Sequence, residues 1–270
     1  MLLTIDIGNT VVHLGVFDGD RLVAGMRVAT DSRRLVDEYA LQLVSLLQLR
    51  GIETGQVDSA CICSGVPPLT VVFDEVCRNY FGVTPLQVSA GVRTGLRILY
   101  DNPRDVGADR IADAVAAVEL YQTPLIVVDL GTATVFDAVS REGEYLGGAI
   151  APGISLAADA LFFNTSQLRR VELVAPKSAI GHNTTSALQS GLVYGYAALV
   201  TGMVEHFKRE IGADARVIGT GGLIRVVAGE TPVFDEINPD LTLIGLRLIY
   251  ELNQRPRAQQ DENRDRIVGR

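Results

Sequence analysis

The sequence predicts an α/β protein that is built from two similar halves. Each half opens with a short apolar run, an acidic turn containing glycine and hydroxyl residues, a second strand, a charged turn and a third strand. The acidic turns are Asp6-Ile7-Gly8-Asn9-Thr10 and Asp129-Leu130-Gly131-Thr132-Ala133-Thr134. We interpret this weak internal repeat as two similar lobes with a cleft between them.

Hydrophobic periodicity predicts the individual elements in chain order. Asp18-Gly19 is a strong hairpin signal between the second and third strands. Strands are predicted at residues 2–5, 11–17, 22–28, 57–63, 125–128, 135–139, 145–150 and 216–218. Helices are predicted at residues 35–49, 69–81, 111–120, 154–163, 185–211, 223–227 and 241–253. We expect lobes at residues 1–118 and 119–253, followed by a disordered polar tail at 254–270.

Composition limits the classes of function. The chain has 270 residues, 47% hydrophobic content, a net charge of −8 and scattered Lys and Arg, which argues against a nucleic-acid partner. Cys61, Cys63 and Cys77 cannot form a disulfide framework and are expected to be reduced structural thiols, with the first two facing the same side of a strand. We see no secretory signal and no apolar run near the ~20 residues of a membrane span, so we expect a cytoplasmic protein.

The two acidic turns together favour a split phosphate site. Glycine allows backbone N–H groups to approach an anion, Thr and Asn add donors, and an aspartate can hold a neutralising cation. The alternative is that Asp6 and Asp129 are ordinary turn residues, since Asp and Gly are common in turns. That alternative leaves unexplained why both turns follow apolar strands and carry hydroxyl residues.

Gly107-Ala108-Asp109-Arg110 is a third candidate segment. A functional interpretation makes Asp109 a general base for a hydroxyl and Arg110 a fork for an anionic group. The alternative is a helix N-terminal cap with a solvated neighbour.

Two further polar loops are weaker signals. Gly219-Thr220-Gly221-Gly222 offers bare backbone for a nucleoside but lacks the features of a Walker loop. Gly181-His182-Asn183-Thr184-Thr185 is equally typical of a capped helix start. His13 is either a neighbour of the phosphates or a structural residue, and the three histidines show no metal-site spacing.

These residues together resemble the type III pantothenate kinases, of the actin-like and sugar-kinase-like ATPase superfamily. The resemblance extends to about residue 250 and rests on several motifs in the same order. Besides the two acidic turns and Gly107 to Arg110, they are Ser64-Gly65-Val66-Pro67-Pro68, Tyr100 with Asn102-Pro103, Gly147-Gly148-Ala149-Ile150-Ala151-Pro152-Gly153, and Gly181 with Thr184.

The resemblance implies two ribonuclease H-like lobes with mixed sheets and flanking helices. It implies transfer of the ATP γ-phosphate to the 4′-hydroxyl of pantothenate, the first step of coenzyme A biosynthesis. Asp109 would be the catalytic base. The ATP and phosphate residues would be Asp6, Ile7, Gly8, Asn9, Thr10, Val11, Val12, His13 and Thr132. The pantothenate residues would be Tyr100, Gly107, Ala108, Asp109, Arg110 and Thr184.

The resemblance also implies the cations and the assembly. Asp129 would hold a monovalent cation, K⁺ or NH₄⁺, and Asp6 would hold Mg²⁺ through water. The protein would be a homodimer with its substrate pocket near the interface. One departure is Val135, where many relatives carry a second consecutive threonine, so a phosphate contact is absent there. The alternatives are a regulatory homologue that binds nucleotide without turnover and a kinase for another hydroxy acid.

Overall fold

The computed structural model describes residues 1–89 and 91–254, so all but the first residue of the predicted tail lies outside the described residues. The chain divides into two units. The first unit comprises Met1–Leu96, Asn102–Ala116 and the chain from Leu241 onward, and the second comprises Arg97–Asp101 and Ala117–Asp240. The helices are α1 (Val36–Gln48), α2 (Pro67–Phe81), α3 (Ala108–Leu120), α4 (Ile154–Phe163), α5 (Thr184–Ile211), α6 (Ile224–Ala228) and α7 (Leu241–Gln254).

The first unit contains a five-stranded mixed sheet in the order β3-β2-β1-β4-β5. Strand β1 is antiparallel to β2 and parallel to β4. The predicted hairpins are confirmed, and only the two-residue β5 was not predicted. The strands are β1 (Leu2–Ile7), β2 (Val11–Asp18), β3 (Arg21–Ala29), β4 (Ser59–Ser64) and β5 (Leu86–Gln87).

Alternation along β1 separates two apolar layers in the first unit. Leu3, Ile5 and Ile7 belong to a core that includes buried residues of α1 and α2. Leu2 belongs to a second cluster with residues of α3 and α7. Asp6 shares the parity of Leu2, so its side chain lies on the sheet face that α3 and α7 cover.

Helix α7 belongs to the first unit, which differs from the predicted boundary. The sequence predicts one lobe over residues 119–253, whereas the buried residues Leu243, Leu246 and Ile249 pack on the first sheet. A Cβ at Gly245 would collide with the carbonyl oxygen of Ala112, so α7 lies directly against α3. Hydrophobic periodicity identified the helix correctly but carries no information about the sheet that it covers.

The second unit repeats the strand order of the first. Its sheet has the order β10-β9-β6-β7-β8, with β6 antiparallel to β7 and parallel to β9. Reversed, this order matches the first sheet strand for strand, which confirms the predicted internal repeat. The strands are β6 (Leu125–Leu130), β7 (Ala133–Val139), β8 (Tyr145–Pro152), β9 (Arg216–Thr220) and β10 (Glu236–Ile237).

Helix α5 is the one described helix that is long and apolar enough to cross a membrane by length and composition alone. This differs from the expectation that no segment approaches such a length, because Ala, Gly and Thr residues extend its apolar character. Leu192, Val193, Ala197, Val200 and Val204 of α5 pack into the core of the second unit. Helix α5 thus contributes one face to the core, as the central helix of a globular domain does.

Candidate active site

The first acidic turn is held by hydrogen bonds that its backbone makes with backbone and side-chain groups. The N–H of Gly8 donates to the carbonyl oxygen of Val11 at 3.1 Å, which closes the turn between β1 and β2. The Thr30 hydroxyl donates to the carbonyl oxygen of Gly8 at 2.7 Å. The N–H of Gly65 donates to the carbonyl oxygen of Ile7 at 2.9 Å. These bonds fix the turn before any ligand arrives.

Only some side chains of the first motif are available to a ligand. Ile7 and Val12 are fully buried in the core of the first unit, so they can offer a nucleotide backbone groups only. Asn9 and Thr10 are exposed at the tip of the turn, and His13 is half-buried opposite Asp6 in the strand pairing. The tip therefore combines polar side chains with bare glycine backbone, as phosphate-binding turns do.

Asp6 is a strongly perturbed acid on the α3 and α7 face of the first sheet. Its Oδ1 accepts a hydrogen bond from the Cys63 thiol at 3.2 Å. Burial and then the negative charge of Asp109 raise the pKa of Asp6 to about 7, and the Cys63 hydrogen bond opposes that rise. A buried acid whose pKa is raised by burial and by a second acid is typical of a functional site.

The same surroundings keep Cys63 protonated. Burial, followed by the charges of Asp6 and Asp109, raises the pKa of the Cys63 thiol well above its ordinary value. Cys61, Cys63 and Cys77 are all free and buried, which confirms the prediction of reduced thiols. Cys61 and Cys63 share one apolar cluster, as their predicted common face requires.

Asp109 lies in the first turn of α3, which begins at Ala108 and not at the predicted residue 111. Its Oδ1 accepts a hydrogen bond from the backbone N–H of Arg110 at 2.9 Å. A Cβ at Gly107 would collide with this oxygen, so glycine allows the carboxylate to fold back over the helix start. Oδ1 thus satisfies a backbone N–H at the start of α3, as the capping alternative predicts. The side chain is exposed, so Oδ2 can reach a ligand.

Arg110 is only 9% exposed. Its side chain therefore does not extend into solvent. A buried Arg of this kind presents a fixed fork to an anion that reaches it.

The second acidic turn is lined by glycine backbone. A Cβ at Gly221, whose φ is +93°, would collide with Oδ1 of Asp129, and a Cβ at Gly131 would lie 3.5 Å from the same oxygen. A Cβ at Gly153 would collide with the carbonyl oxygen of Thr132. The side chain of Thr132 is exposed. The Gly219 to Gly222 loop thus lies against Asp129, in the same unit.

The ring of Tyr100 packs against the backbone of Gly147 in the second unit. A Cβ at Gly147 would come within 3.3 Å of the Tyr100 ring, and the rings of Tyr100 and Tyr145 have centroids 6.4 Å apart. The buried Tyr145 hydroxyl donates to Oδ1 of Asp137 at 2.6 Å. Gly147 and Tyr145 therefore define where the Tyr100 ring lies.

Thr184 is the first residue of α5 and is exposed. Asn183 accepts a hydrogen bond from the N–H of Ser186 at 2.9 Å and caps the helix. A Cβ at Gly181 would collide with the backbone N of Ala187, so the loop before α5 packs closely on the helix. The capped helix start predicted as the alternative is present, and it presents the Thr184 hydroxyl to solvent.

Within residues 1–89 and 91–254, no group of three or more His, Cys, Asp or Glu side chains forms a metal-binding cluster. A magnesium ion that retains several waters and binds nucleotide phosphates needs only one or two protein carboxylates. The donor set at Asp6 fits such an ion, because Oδ1 accepts from Cys63 and Oδ2 remains for a metal-bound water. The backbone of Gly131 and Gly221 lies close to the Asp129 carboxylate, and this arrangement fits a cation that binds backbone and carboxylate oxygens.

A sequence profile described as type III pantothenate kinase matches residues 2–206. The chain belongs to the type III pantothenate kinase family. A relative named type III pantothenate kinase, from Streptomyces griseus subsp. griseus, is 53% identical over 261 residues, which is 94% of this chain and 98% of the relative. The predicted family membership is confirmed.

Solved structures with low sequence identity share the fold of this type III pantothenate kinase family member. A candidate Baf family transcriptional activator from Campylobacter jejuni has a TM-score of 0.59 and 19% identity, covering 93% of this chain and 98% of its own. A candidate 2-dehydro-3-deoxygalactonokinase from Sinorhizobium meliloti has a TM-score of 0.57 and 13% identity, covering 94% and 99%. The predicted fold class is confirmed.

The structure groups the predicted residues of this family member by unit. The first unit holds Asp6, the turn that follows it, and Asp109 with Arg110. The second holds Asp129, Thr132, Tyr100 and Thr184. The sequence patterns do not single out three further residues of the site. Cys63 contacts Asp6, Thr30 anchors the first turn, and Tyr145 supports Tyr100.

Proposed function

We propose that this chain transfers the γ-phosphate of ATP to the 4′-hydroxyl of pantothenate, giving 4′-phosphopantothenate for coenzyme A biosynthesis. Membership of the type III pantothenate kinase family supports the reaction. The observation that carries the proposal is that Asp6 and Asp109 both lie in the first unit, close enough for the charge of Asp109 to act on Asp6. Phosphoryl transfer needs positioned charges and an oriented hydroxyl more than covalent chemistry.

Asp109 is the general base in this proposal. Its Oδ1 is fixed by the Arg110 N–H, so Oδ2 accepts the hydrogen bond of the pantothenate hydroxyl and later its proton. The N-terminal turn of a helix attracts negative charge, and Asp109 lies in the first turn of α3. Gly107 is required because any larger residue would displace the carboxylate.

Asp6 and the turn from Ile7 to His13 bind the phosphate side of ATP. A bound Mg²⁺ supplies neutralisation of the phosphate charge. Asp6 would hold this ion through water, and the N–H groups and side chains of Asn9 and Thr10 would donate to phosphate oxygens. Ile7 and Val12 contribute through the backbone, because their side chains are in the core.

The second unit contributes the remaining nucleotide contacts. Asp129, with the glycine backbone packed on its carboxylate, holds the monovalent cation. The exposed Thr132 donates to ATP, and the bare loop from Gly219 to Gly222 accommodates the nucleoside. Val135 leaves one phosphate contact unmade.

Pantothenate is recognised by Tyr100, by the segment from Gly107 to Arg110 and by Thr184. Arg110 pairs with the pantothenate carboxylate in a bidentate manner, which Lys cannot reproduce. Thr184 offers a hydroxyl from the start of α5. Tyr100 provides an apolar surface with a polar tip.

The active form is a homodimer that covers an apolar face of the second unit. Helix α4 carries apolar residues on nearly every side, yet Leu156, Ala160 and Phe163 form an exposed stripe, with Phe163 68% exposed. Ile150 of the neighbouring edge strand β8 is 66% exposed. Such a face is typical of an interface, and the family resemblance points to a second copy as its occupant.

Analytical ultracentrifugation of Phe163→Glu tests the dimer. We expect the variant to sediment as a monomer, while Leu49→Glu, at a leucine of the first unit that is 80% exposed, sediments as the parent does. A dimeric Phe163→Glu protein would place the interface elsewhere.

We assign the enzyme to the cytoplasm, where ATP and Mg²⁺ are available.

The function is tested by release of ADP that depends on pantothenate, measured with Mg²⁺ and with or without potassium. We expect turnover with pantothenate and potassium, and none when pantothenate is omitted or replaced by another small hydroxy acid. Turnover with another acid alone would indicate a different kinase. Nucleotide binding without turnover under any condition would favour the regulatory alternative.

A further inference from the structure

Cys63 contacts the carboxylate that we assign to the phosphate side of the reaction. It lies directly opposite Asp6 in the parallel pairing of β1 and β4, and its thiol donates to Asp6 Oδ1 at 3.2 Å. Cys63 is 1% exposed, so no water replaces this contact from the solvent side. In the part of the chain that the structure describes, this is the one side-chain hydrogen bond that Asp6 accepts.

Packing alone does not account for the thiol at this position. Cys61 lies two residues earlier on the same strand and in the same apolar cluster, and it is fully buried. No carboxylate contacts its sulfur in any hydrogen bond of the described residues. The two cysteines therefore fill similar space, but only Cys63 donates to a functional group.

A hydrogen bond at one carboxylate oxygen restricts how the carboxylate can turn. The terminal torsion of Asp is broad, so an unrestrained carboxylate would present either oxygen over a range of angles. With Oδ1 bound to a buried donor on the adjacent strand, Oδ2 has a defined direction.

The second unit has a small hydroxyl residue at the equivalent position. Thr220 lies opposite Asp129 in the parallel pairing of β6 and β9, and it is 2% exposed. The repeat thus preserves a buried hydroxyl or thiol beside each acid, although the sequences of β4 and β9 differ.

We infer that Cys63 is a positioning residue for Asp6, holding Oδ1 so that Oδ2 is directed to the water of a divalent cation bound to ATP. The inference rests on the proposed function, since it assigns a purpose to the Asp6 carboxylate within that reaction. It makes Cys63 a determinant of the cation step and of turnover, with no contact to pantothenate.

The test compares Cys63→Ala, which removes the donor, with Cys63→Ser, which restores one. Cys61→Ala is the matched control for lost volume. In Cys63→Ala we expect roughly a tenfold fall in kcat and a several-fold rise in the Mg²⁺ concentration for half-maximal activity, with the KM for pantothenate unchanged. Cys63→Ser should return both values to near those of the parent, and Cys61→Ala should leave both unchanged.

Equal behaviour of Cys63→Ala and Cys61→Ala would overturn the inference, and so would failure of Cys63→Ser to recover. Should Cys63→Ala not fold, Cys63→Thr copies the side chain of the second unit and should retain the parent's Mg²⁺ response. If the parent does not phosphorylate pantothenate, the proposed function fails separately. Calorimetry of ATP binding with and without Mg²⁺ then decides the inference, which requires Cys63→Ala to lose most of the gain due to Mg²⁺.

The infrared S–H stretch tests the hydrogen bond without any activity. Difference spectra against Cys63→Ser and Cys61→Ala assign the two thiol bands. We expect the Cys63 band at lower frequency than the Cys61 band, and a shift to higher frequency in Asp6→Ala. Coincident bands that Asp6→Ala leaves unmoved would contradict the proposed contact.

Discussion

Asp6 of β1 and Asp129 of β6 occupy equivalent positions in two sheets of the same strand order. Each lies next to the last residue of a central strand that is antiparallel to one neighbour and parallel to the other. Their antiparallel partners differ, since Asp6 faces His13 and Asp129 faces Val135. A duplicated frame thus carries two acids with different surroundings, which agrees with the separate roles that we propose for them.

Asp109→Asn should lower kcat by about 10²- to 10⁴-fold, because general-base catalysis is worth that much. The amide can still accept from the Arg110 N–H, so the start of α3 should remain intact. Steady-state kinetics, with circular dichroism to confirm folding, measures the effect. A folded variant with near-normal turnover would exclude Asp109 as the base.

Asp129→Asn should change the requirement for potassium much more than the requirement for Mg²⁺. The variant should need at least tenfold more potassium for half-maximal activity, since a carboxylate ligand is lost, while its Mg²⁺ requirement stays within about a factor of three. Activity titrations with each ion make the comparison. Asp6→Asn is the reciprocal variant and should respond mainly in Mg²⁺; the opposite pattern would exchange the two assignments.

Gly147→Ala should raise the KM for pantothenate about tenfold and leave the KM for ATP unchanged, because a 1 Å misplacement of a binding group can have a large effect. The added methyl group would press on the Tyr100 ring. Gly143→Ala is a suitable control, as Gly143 also has positive φ, and a Cβ there would lie 3.6 Å from Val118. Equal changes in both variants would indicate backbone strain, not displacement of Tyr100.

Asp6 should destabilise the ligand-free protein above neutral pH. Its pKa rises from 3.8 to about 7 on folding, so between these values the unfolded chain is ionised and the folded chain is not. Below pH 3.8 Asp6 therefore does not reduce the free energy of unfolding. This free energy falls as pH rises to about 7 and then levels off. Asp6→Asn should be more stable than the parent by about 2 kcal/mol at pH 8 and equally stable near pH 4, after allowing for partial solvation.

Chemical denaturation at several pH values, without Mg²⁺ or nucleotide, measures that difference. Asp214→Asn is the control of opposite sign, because hydrogen bonds from Arg141 lower the pKa of Asp214 and favour its charged form. This exposed acid should stabilise slightly above its pKa and lose the effect as pH falls through it. A stability difference for Asp6→Asn that does not change with pH would contradict a raised pKa at this site.

Local sequence signals predicted most of the fold. Helix α4 was predicted with its observed bounds, and hairpin signals such as Asp18-Gly19 gave the repeated antiparallel strands. Helix starts were placed late at α2 and α3, because Pro67 and Asp109 fit the first turn of a helix and do not merely precede it. The two-residue strands β5 and β10 are too short to show a period.

Contacts across long sequence separations could not be predicted. The pairing of Asp6 with Cys63 depends on the parallel register of β1 and β4, which a single sequence does not specify. The approach of Gly221 to Asp129 depends likewise on β6 and β9. The side on which α7 packs is a choice between two sheets of the same order, and its apolar stripe is compatible with either.

The most direct test of the proposed reaction is the identity of its product. Phosphorus NMR of a mixture of the enzyme, ATP, Mg²⁺, potassium and pantothenate should show a new phosphomonoester signal split by two methylene protons, as ADP accumulates in equal amount. The signal should be absent with Asp109→Asn on the same time scale. Only inorganic phosphate beside ADP, or no change in ATP, would contradict phosphorylation of the pantothenate hydroxyl by this chain.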